Sequence, residues 1–342
     1  MMCKISVVTS VYNCEKYIGE TIESVQNQSF EDWEFILLND CSKDRSGEII
    51  EEYAAKDSRI KYCNNPKNLG QVKSLNYGIS IAQGDYIARL DHDDLCLPDR
   101  FEKQLAYMES HPNCVLVGSR MKYWEKGRIF DSEKYDGSII EPPQCKFMLL
   151  EDSIIPHSSF FIRKKTLQDN KISYREEYRY SEDYGLIADL YGLGDIALIN
   201  DSLIIYRLFP EQLSNTCSDD VKQEERERAR LEIYEKLNVS DKDISRKYIT
   251  KKMMSNQEIK EFADFIYRYA SFCGLGDDRS EIKKMNCVRE LYFHGCRDQN
   301  PNLSILCGYA TSSLRTPGWL YTRSGLSFLI HSFLKTNKSL KK

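Results

Sequence analysis

Residues 84–101 read GDYIARLDHDDLCLPDRF. The run from Tyr86 to Leu90 is short and mostly apolar, as a buried strand is, and Asp91, Asp93 and Asp94 follow it at once. Carboxylates this close repel one another, and at the edge of a buried sheet they are costly unless a positive charge sits against them. The cluster is either a solvated turn or the holder of a cation. The flanking chain decides between the two.

Upstream, KISVVTSVY (4–12) is rich in Val and Ile and reads as a strand, whereas from Glu15 to Gln28 the period changes, with Ile18, Ile22 and Val25 at helical spacing. WEFILLND (33–40) reads as a strand and DRSGEIIEEYAAK (44–56) as a helix. RIKYC (59–63) and GQVKSLNYGISIA (70–82) repeat the unit, as do DYIARL (85–90) and PDRFEKQLAYMES (98–110), where Pro98 suits the first helical turn. CVLVGS (114–119) reads as one more strand. This alternation predicts an α/β fold with a mainly parallel sheet flanked by helices, which binds ligands at the carboxyl ends of its strands. Asn13, Asp40, Asn64, Asn65 and the Asp91–Asp94 cluster all fall at such ends. Any one of them reads as a turn residue, but together they make one rim of the sheet polar and acidic.

The chain has 342 residues, 41% hydrophobic and 29% charged, with a formal net charge of −4, so composition gives no reason to expect a nucleic-acid partner. The start, MMCKISVVTSVYN (1–13), lacks the long apolar stretch of a secretory signal, and no segment reaches the roughly 18 apolar residues of a spanning helix, which predicts a catalytic region facing the cytoplasm. The 12 cysteines show no C-x-x-C or Cys/His ligand spacing and read as reduced thiols. GxGxxG and GxxxxGK are absent, which argues against a dinucleotide-binding Rossmann domain and a P-loop NTPase. Phosphates at this rim would instead be held through a divalent cation. Asp91 and Asp93 offer hard oxygen ligands suited to Mg²⁺ or Mn²⁺, which would bridge the acidic rim to a diphosphate and stabilise its charge as it departs. That is transfer chemistry on a nucleotide-activated substrate.

The blocks SVVTSVYNCEKYIGETIESVQNQSFEDWEFILLNDCSKDRS (6–46), NNPKNLGQVKSLNYGISIAQGDYIARLDHDD (64–94), LPDRFEKQLAYM (97–108), IIPHSSFFIRKKTL (154–167) and YSEDYGLIADLYGLG (180–194) closely resemble the family 2 glycosyltransferases of the GT-A fold. The resemblance implies a GT-A domain over residues 1–214 and an inverting, metal-dependent transfer of a sugar from a nucleotide-diphosphate donor, a UDP-sugar in the first instance. The acceptor it implies is a hydroxyl of a glycan or lipid-linked glycan, as in the building of bacterial surface polysaccharide, lipopolysaccharide or capsule. By the same resemblance Ser10, Val11 and Tyr12 line the base, Asp40 reads its edge, and Asn68, Gly70 and Lys73 belong to the segment near the diphosphate. Lys73 reads better as a helix-surface lysine than as a phosphate contact. Asp91-His92-Asp93 matches the D-x-D motif, with Asp93 as direct ligand of Mn²⁺ or Mg²⁺, Asp91 as its partner toward the ribose and Asp94 in support. Asp183 of the Glu182-Asp183 pair matches the general base. The same residues also suit a helix start, with Ser181 as cap and both acids at the positive dipole end. His157 and Glu182 fall on the acceptor or sugar side. IIYRLFPEQLSN (204–215) resembles an ending in which Arg207 approaches the diphosphate, but Phe209 stands where the family has a metal-binding histidine.

After residue 214 the alternation stops, and residues 215–342 read as a smaller, mostly helical region with a basic amphipathic end. SDDVKQEERERARLEIYEKL (218–237) reads as a solvated charged helix, and SNQEIKEFADFIYRYASFC (255–273) as a helix opened by a Ser255/Glu258 capping box. From residue 299 onward there is no Asp or Glu, and GLSFLIHSFL (325–334) lies among Arg and Lys. Residues 315–342 suit peripheral membrane association at the inner face as well as docking on the domain. The competing functional class is a non-catalytic nucleotide-sugar-binding scaffold in an assembly complex, which the intact D-x-D and Glu-Asp pair disfavour. A nucleotidyltransferase would bring a glycine-rich basic start, and SVVTSVYN is not one.

Overall fold

The structure is a computed structural model that describes residues 3–131, 139–150, 152–209, 212, 218–237 and 265. Two compact units are present, Met1–Lys146 with Asp152–Ala229, and Phe147–Glu151 with Arg230–Lys342. In the second unit Leu150, Ile233 and Tyr234 are buried, Arg230 Nε donates to the Leu150 carbonyl at 3.1 Å, and the Tyr234 and Phe265 rings lie 6.0 Å apart. The expected helix over 255–273 and the basic end fall outside the described residues, Phe265 excepted.

The first unit opens with β1 (Ile5–Val11), α1 (Ile18–Gln26), β2 (Trp33–Asn39), α2 (Ser46–Ala54), β3 (Ile60–Asn64), α3 (Gln71–Ile81) and β4 (Tyr86–Arg89). Strands and helices alternate here as the hydrophobic period requires. All seven positions of β1 and all seven of β2 are buried, so both faces of these strands are covered. On one face lie Ile18, Ile22 and Val25 of α1 and Ile50 of α2, each worth about 1.5–3 kcal/mol when taken from water. On the other face α3 approaches so closely that a Cβ on Gly78 would sit 2.6 Å from Leu38 and Val8.

Then come β5 (Leu95–Cys96), α4 (Arg100–Ser110), β6 (Cys114–Glu125), β7 (Arg128–Asp131), β8 (Ile139–Ile140), α5 (Pro142–Met148), a 3-10 turn (His157–Ser159), β9 (Phe161–Arg163), α6 (Lys164–Asp169), α7 (Glu182–Leu190), β10 (Asp195–Arg207) and α8 (Asp219–Lys236). Pro98 is not in the first turn of α4, which starts at Arg100. Its carbonyl instead accepts from Ser29 N at 2.9 Å, tying the α1–β2 loop to the start of α4.

The sheet order is β3-β2-β1-β4-β9-β6-β10-β5, with β7 on β6 and β8 on β10. β3, β2, β1 and β4 are parallel, as are β6 and β10, but β9 runs antiparallel to both β4 and β6, and β5, β7 and β8 are antiparallel as well. The sheet is therefore mixed beyond β4. A three-residue strand such as β9 has no readable period, and β10 hides because its register shifts between Ile199 and Ser202, where Asn200 and Asp201 interrupt the apolar run.

Candidate active site

β4 ends at Arg89, and the chain turns through Asp91–Asp94 before β5. Arg89 has a side chain only 3% exposed and places Nη2 2.6 Å from Asp91 Oδ1. Its Nε and Nη1 find no acceptor among the described residues. The other Asp91 oxygen accepts from the Ser158 hydroxyl at 2.6 Å, and Asp91 N donates back to Ser158 Oγ at 3.1 Å. Burial alone would raise the Asp91 carboxyl, but the Arg89 guanidinium beside it holds it well below the usual range. Ser158 Oγ also lies within hydrogen-bond distance of Asp94. A hydroxyl has one proton, so both contacts are met when Asp94 keeps its own proton and donates it to Ser158. Burial, with repulsion from Asp93 and Asp91, pushes Asp94 up in just that sense.

Asp93 differs from both. It is 8% exposed, and its side chain has no donor among the described residues except its own backbone amide. Burial pushes its carboxyl up, against the pull of His92. The backbone here is clamped from behind: Arg207 Nη1 donates to the Asp93 carbonyl at 2.7 Å, Arg207 N donates to Asp94 Oδ1 at 3.2 Å, and Glu20 pairs with the guanidinium. Arg207 is thus a buried brace of the D-x-D turn, and the Phe209 ring packs 5.1 Å from Tyr17. Among the described residues no three His, Cys, Asp or Glu side chains are gathered to enclose a metal ion. One open carboxylate beside one already neutralised is nonetheless a donor set that Mg²⁺ or Mn²⁺ accepts when water and substrate phosphates complete the shell. Asp93 fits that role, and Asp91, held by Arg89 and Ser158, supports it.

The end of β1 faces this turn. The Ser10 carbonyl lies 2.9 Å from His92 Nδ1, the Val11 carbonyl accepts from Asp40 N at 2.8 Å, and Tyr12 stands 42% exposed at the rim. Burial alone would discharge His92, but the Asp93 carboxylate opposes it and pushes the ring up to about 10. Asp40 is 2% exposed and accepts from Asn65 Nδ2, Leu69 N and Gly70 N, each at 2.8 Å. It braces the 65–70 loop, where Gly70 takes φ +85, a conformation costly for residues with a Cβ. Asn68 lies exposed on the same loop. Lys73 points away into an ion pair with Glu176 at 3.1 Å, the helix-surface alternative.

α7 delivers Glu182 and Asp183 in its first turn, where the helix dipole favours negative charge. Ser181 occupies the cap position, but its hydroxyl makes no cap bond, which corrects its reading as the capping side chain. Glu182 Oε1 accepts from Gln71 Nε2 at 3.1 Å and lies 3.5 Å from His157 Nδ1, while His157 Nε2 lies 2.7 Å from the Tyr174 hydroxyl. Burial lowers His157 well below the usual histidine range, assisted by Arg89. Burial and the neighbouring Asp183 push Glu182 up to about 8. His157 and Glu182 therefore face each other as neutral groups near pH 7, not as an ion pair. Asp183 accepts from Ser153 Oγ at 3.2 Å, and burial raises its carboxyl above the usual range. A buried carboxylate with a raised affinity for protons is what a general base requires.

Arg89, Ser158, Tyr174, Gln71 and Glu20 went unnoticed in the sequence. Only the Arg of ARLDHDD offered a signal, a lone charge inside an apolar strand. The seven cysteines among the described residues are free thiols, as expected. Among those residues no helix is long and apolar enough to cross a membrane.

The family model described as Glycosyl transferase family 2 matches residues 6–170. An uncharacterized glycosyltransferase of Methanocaldococcus jannaschii is 37% identical over 214 residues, 60% of this chain and 70% of that protein. Among solved structures, Staphylococcus aureus TarS 1–349 in complex with UDP-GlcNAc superposes with a TM-score of 0.58 at 18% identity, covering 99% of this chain and 92% of that one. The mannosyltransferase PcManGT of Pyrobaculum calidifontis, in complex with GDP-Man and Mn²⁺, gives 0.50 at 12% identity, covering 98% and 87%. At these identities the structural likeness speaks for the fold.

Proposed function

Because this chain belongs to glycosyl transferase family 2 and is a glycosyltransferase, we propose that it moves a sugar from a UDP-linked donor to a hydroxyl of a glycan or lipid-linked glycan, with inversion. The observation that carries this reading is the asymmetry of the D-x-D turn. Asp91 is neutralised by Arg89, whereas Asp93 is buried with no donor among the described residues but its own amide. Asp93 would hold Mn²⁺ or Mg²⁺, with Asp91 beside it. Bound there, a divalent ion would supply positive charge against the diphosphate as a leaving group. The nucleotide sugars bound by TarS and PcManGT, and the Mn²⁺ in the latter, support the same assignment.

The protein's own residues do the rest. Ser10, Val11 and Tyr12 flank the base, and Asp40 braces the 65–70 loop that approaches the diphosphate. Asp183 accepts the proton of the acceptor hydroxyl as its oxygen bonds to the anomeric carbon. The bond from that carbon to the diphosphate breaks on the opposite face, so the configuration inverts. Glu182 and His157, both neutral, offer hydrogen bonds to sugar hydroxyls without adding charge. The reaction takes place in the cytoplasm or at the inner face of the membrane, where nucleotide sugars and lipid-linked acceptors meet.

The test is a panel of UDP- and GDP-sugars with Mn²⁺, Mg²⁺ or EDTA, scored for nucleotide release and for thermal stabilisation. Metal-dependent stabilisation by a UDP-sugar is expected. A flat response across the panel overturns the donor and metal assignments.

A further inference from the structure

The backbone ahead of α7 is organised by a residue far along the chain. Arg179 N lies 3.0 Å from Glu225 Oε1, and Tyr180 N and Ser181 N lie 2.8 and 2.9 Å from Glu225 Oε2. Glu225 sits on α8 and is only 6% exposed. A helix start normally satisfies its free N–H groups with its own capping side chain, yet the Ser181 hydroxyl is buried without a partner among the described residues. The carboxylate from α8 instead bonds the amides that lead into the helix, up to Ser181 at the cap position. Hydrogen bonds to an ionised acceptor are roughly twice as strong as neutral ones, and a negative charge here also suits the dipole of α7.

The same stretch is gripped from other sides. Arg228 Nη1 donates to the Glu177 carbonyl at 3.3 Å, and its guanidinium lies 5.5 Å from the centre of the Tyr178 ring. Tyr178 is fully buried, and Gly185 of α7 passes its ring so closely that a Cβ would meet it at 2.8 Å. Arg226, next to Glu225, lies 3.9 Å from Asp152 and acts as a positive neighbour of Asp183. All these residues belong to one compact unit, and all but Asp152 lie beyond residue 170, where the family match ends.

We propose that Glu225 is a positioning residue for glycosyl transfer. Its carboxylate gathers the amides of residues 179–181 and so sets where the first turn of α7 presents Asp183. The proposal rests on Asp183 being the base. Glu225 bonds backbone ahead of the base, not the D-x-D turn or the 65–70 loop, so its loss shifts the base and leaves donor binding alone. Removing it therefore lowers kcat and not donor affinity, and a displacement of about 1 Å at a reacting group is enough for a loss of about 100-fold.

The test uses the full chain with Glu225→Ala, Glu225→Gln, Glu225→Asp, Asp183→Asn and the Asp183→Asn/Glu225→Ala double variant. Deuterium exchange of the peptide containing residues 179–181 is read beside steady-state kinetics with the UDP-sugar that the wild type turns over best. Glu225→Ala is expected to speed exchange at 179–181 and to lower kcat by about 10- to 100-fold with donor KM unchanged. Glu225→Asp recovers most of the rate, and the double variant is no slower than Asp183→Asn. The isosteric Glu225→Gln supplies the same readings should the alanine variant fold poorly. Unchanged exchange, unchanged kcat, or a loss expressed in donor KM overturns the proposal. Full activity in Asp183→Asn instead overturns the base assignment, and exchange at 179–181 still reports whether Glu225 holds the loop.

Discussion

Arg89 Nη2 lies 2.6 Å from Asp91 Oδ1, and both groups are largely withdrawn from water. Two residues on, Asp93 has among the described residues only its own amide as a donor. The two ends of one D-x-D motif are thus in opposite electrostatic states, and most of the consequences that can be measured follow from that.

Replacing Arg89 by Met leaves the Asp91 carboxylate buried with only the Ser158 hydroxyl and its own turn for support. Breaking a buried pair on one side is expected to destabilise by about 3–5 kcal/mol. Urea unfolding measures this, and Arg89→Met/Asp91→Asn should recover part of the loss because the orphaned charge is gone. Additive losses in the double variant would show that the pair is not coupled.

Asp93→Asn should keep the fold and lose the metal response. In the wild type, Mn²⁺ with UDP at about 100 times its Kd raises stability by about 2.7 kcal/mol, visible as a Tm shift of several degrees. In the variant the shift should vanish while that from UDP alone persists. A shift equal to that of the wild type would place the metal elsewhere.

Glu182 holds its proton up to about pH 8 in the folded protein, against an ordinary value of 4.5. Between those limits the folded state binds a proton that the unfolded chain has released, so this group makes stability fall as pH rises, by at most about 1.4 kcal/mol per pH unit. Glu182→Gln removes that slope. Melting curves from pH 5 to 8 should show the variant gaining on the wild type toward the alkaline end, and parallel profiles would mean that Glu182 titrates normally.

Gly185→Ala places a methyl group 2.8 Å from the Tyr178 ring in a fully buried contact. Overpacking of this kind costs about 1–3 kcal/mol. Because α7 carries Asp183, kcat should fall more than the melting temperature implies, as a comparison with an equally destabilising substitution at Gly84, which packs against Ile5 and Ser6 at the amino end of β1, would reveal.

Where a feature depends on neighbours in the chain, it was legible. Ile18, Ile22 and Val25 announce α1, the unbroken apolar runs announce β1 and β2, and the position of Asp91–Asp94 after β4 puts the acidic rim where parallel strands end. The short strands β5, β8 and β9 were not legible, since two or three residues have no period, and β10 was obscured by its own irregularity at Asn200–Ser202. Ser181 illustrates the other kind of miss. A serine before Glu182 and Asp183 has the composition of a cap, but its hydroxyl bonds none of the first-turn amides, and a carboxylate from α8 holds the chain at Tyr180 and Ser181 instead.

The sequence by itself determined the alternating α/β layout, the acidic strand ends and the D-x-D and Glu-Asp pairs, because burial period and strand-end placement are local properties of the chain. It did not determine which carboxylate is neutralised and which is left open. That was decided by Arg89 and by Ser158, which is 67 residues from Asp91, while Arg207 reaches the Asp93 carbonyl across 114 residues. Charge states in a buried site depend on what is packed within a few ångströms, and only the folded chain brings those groups together.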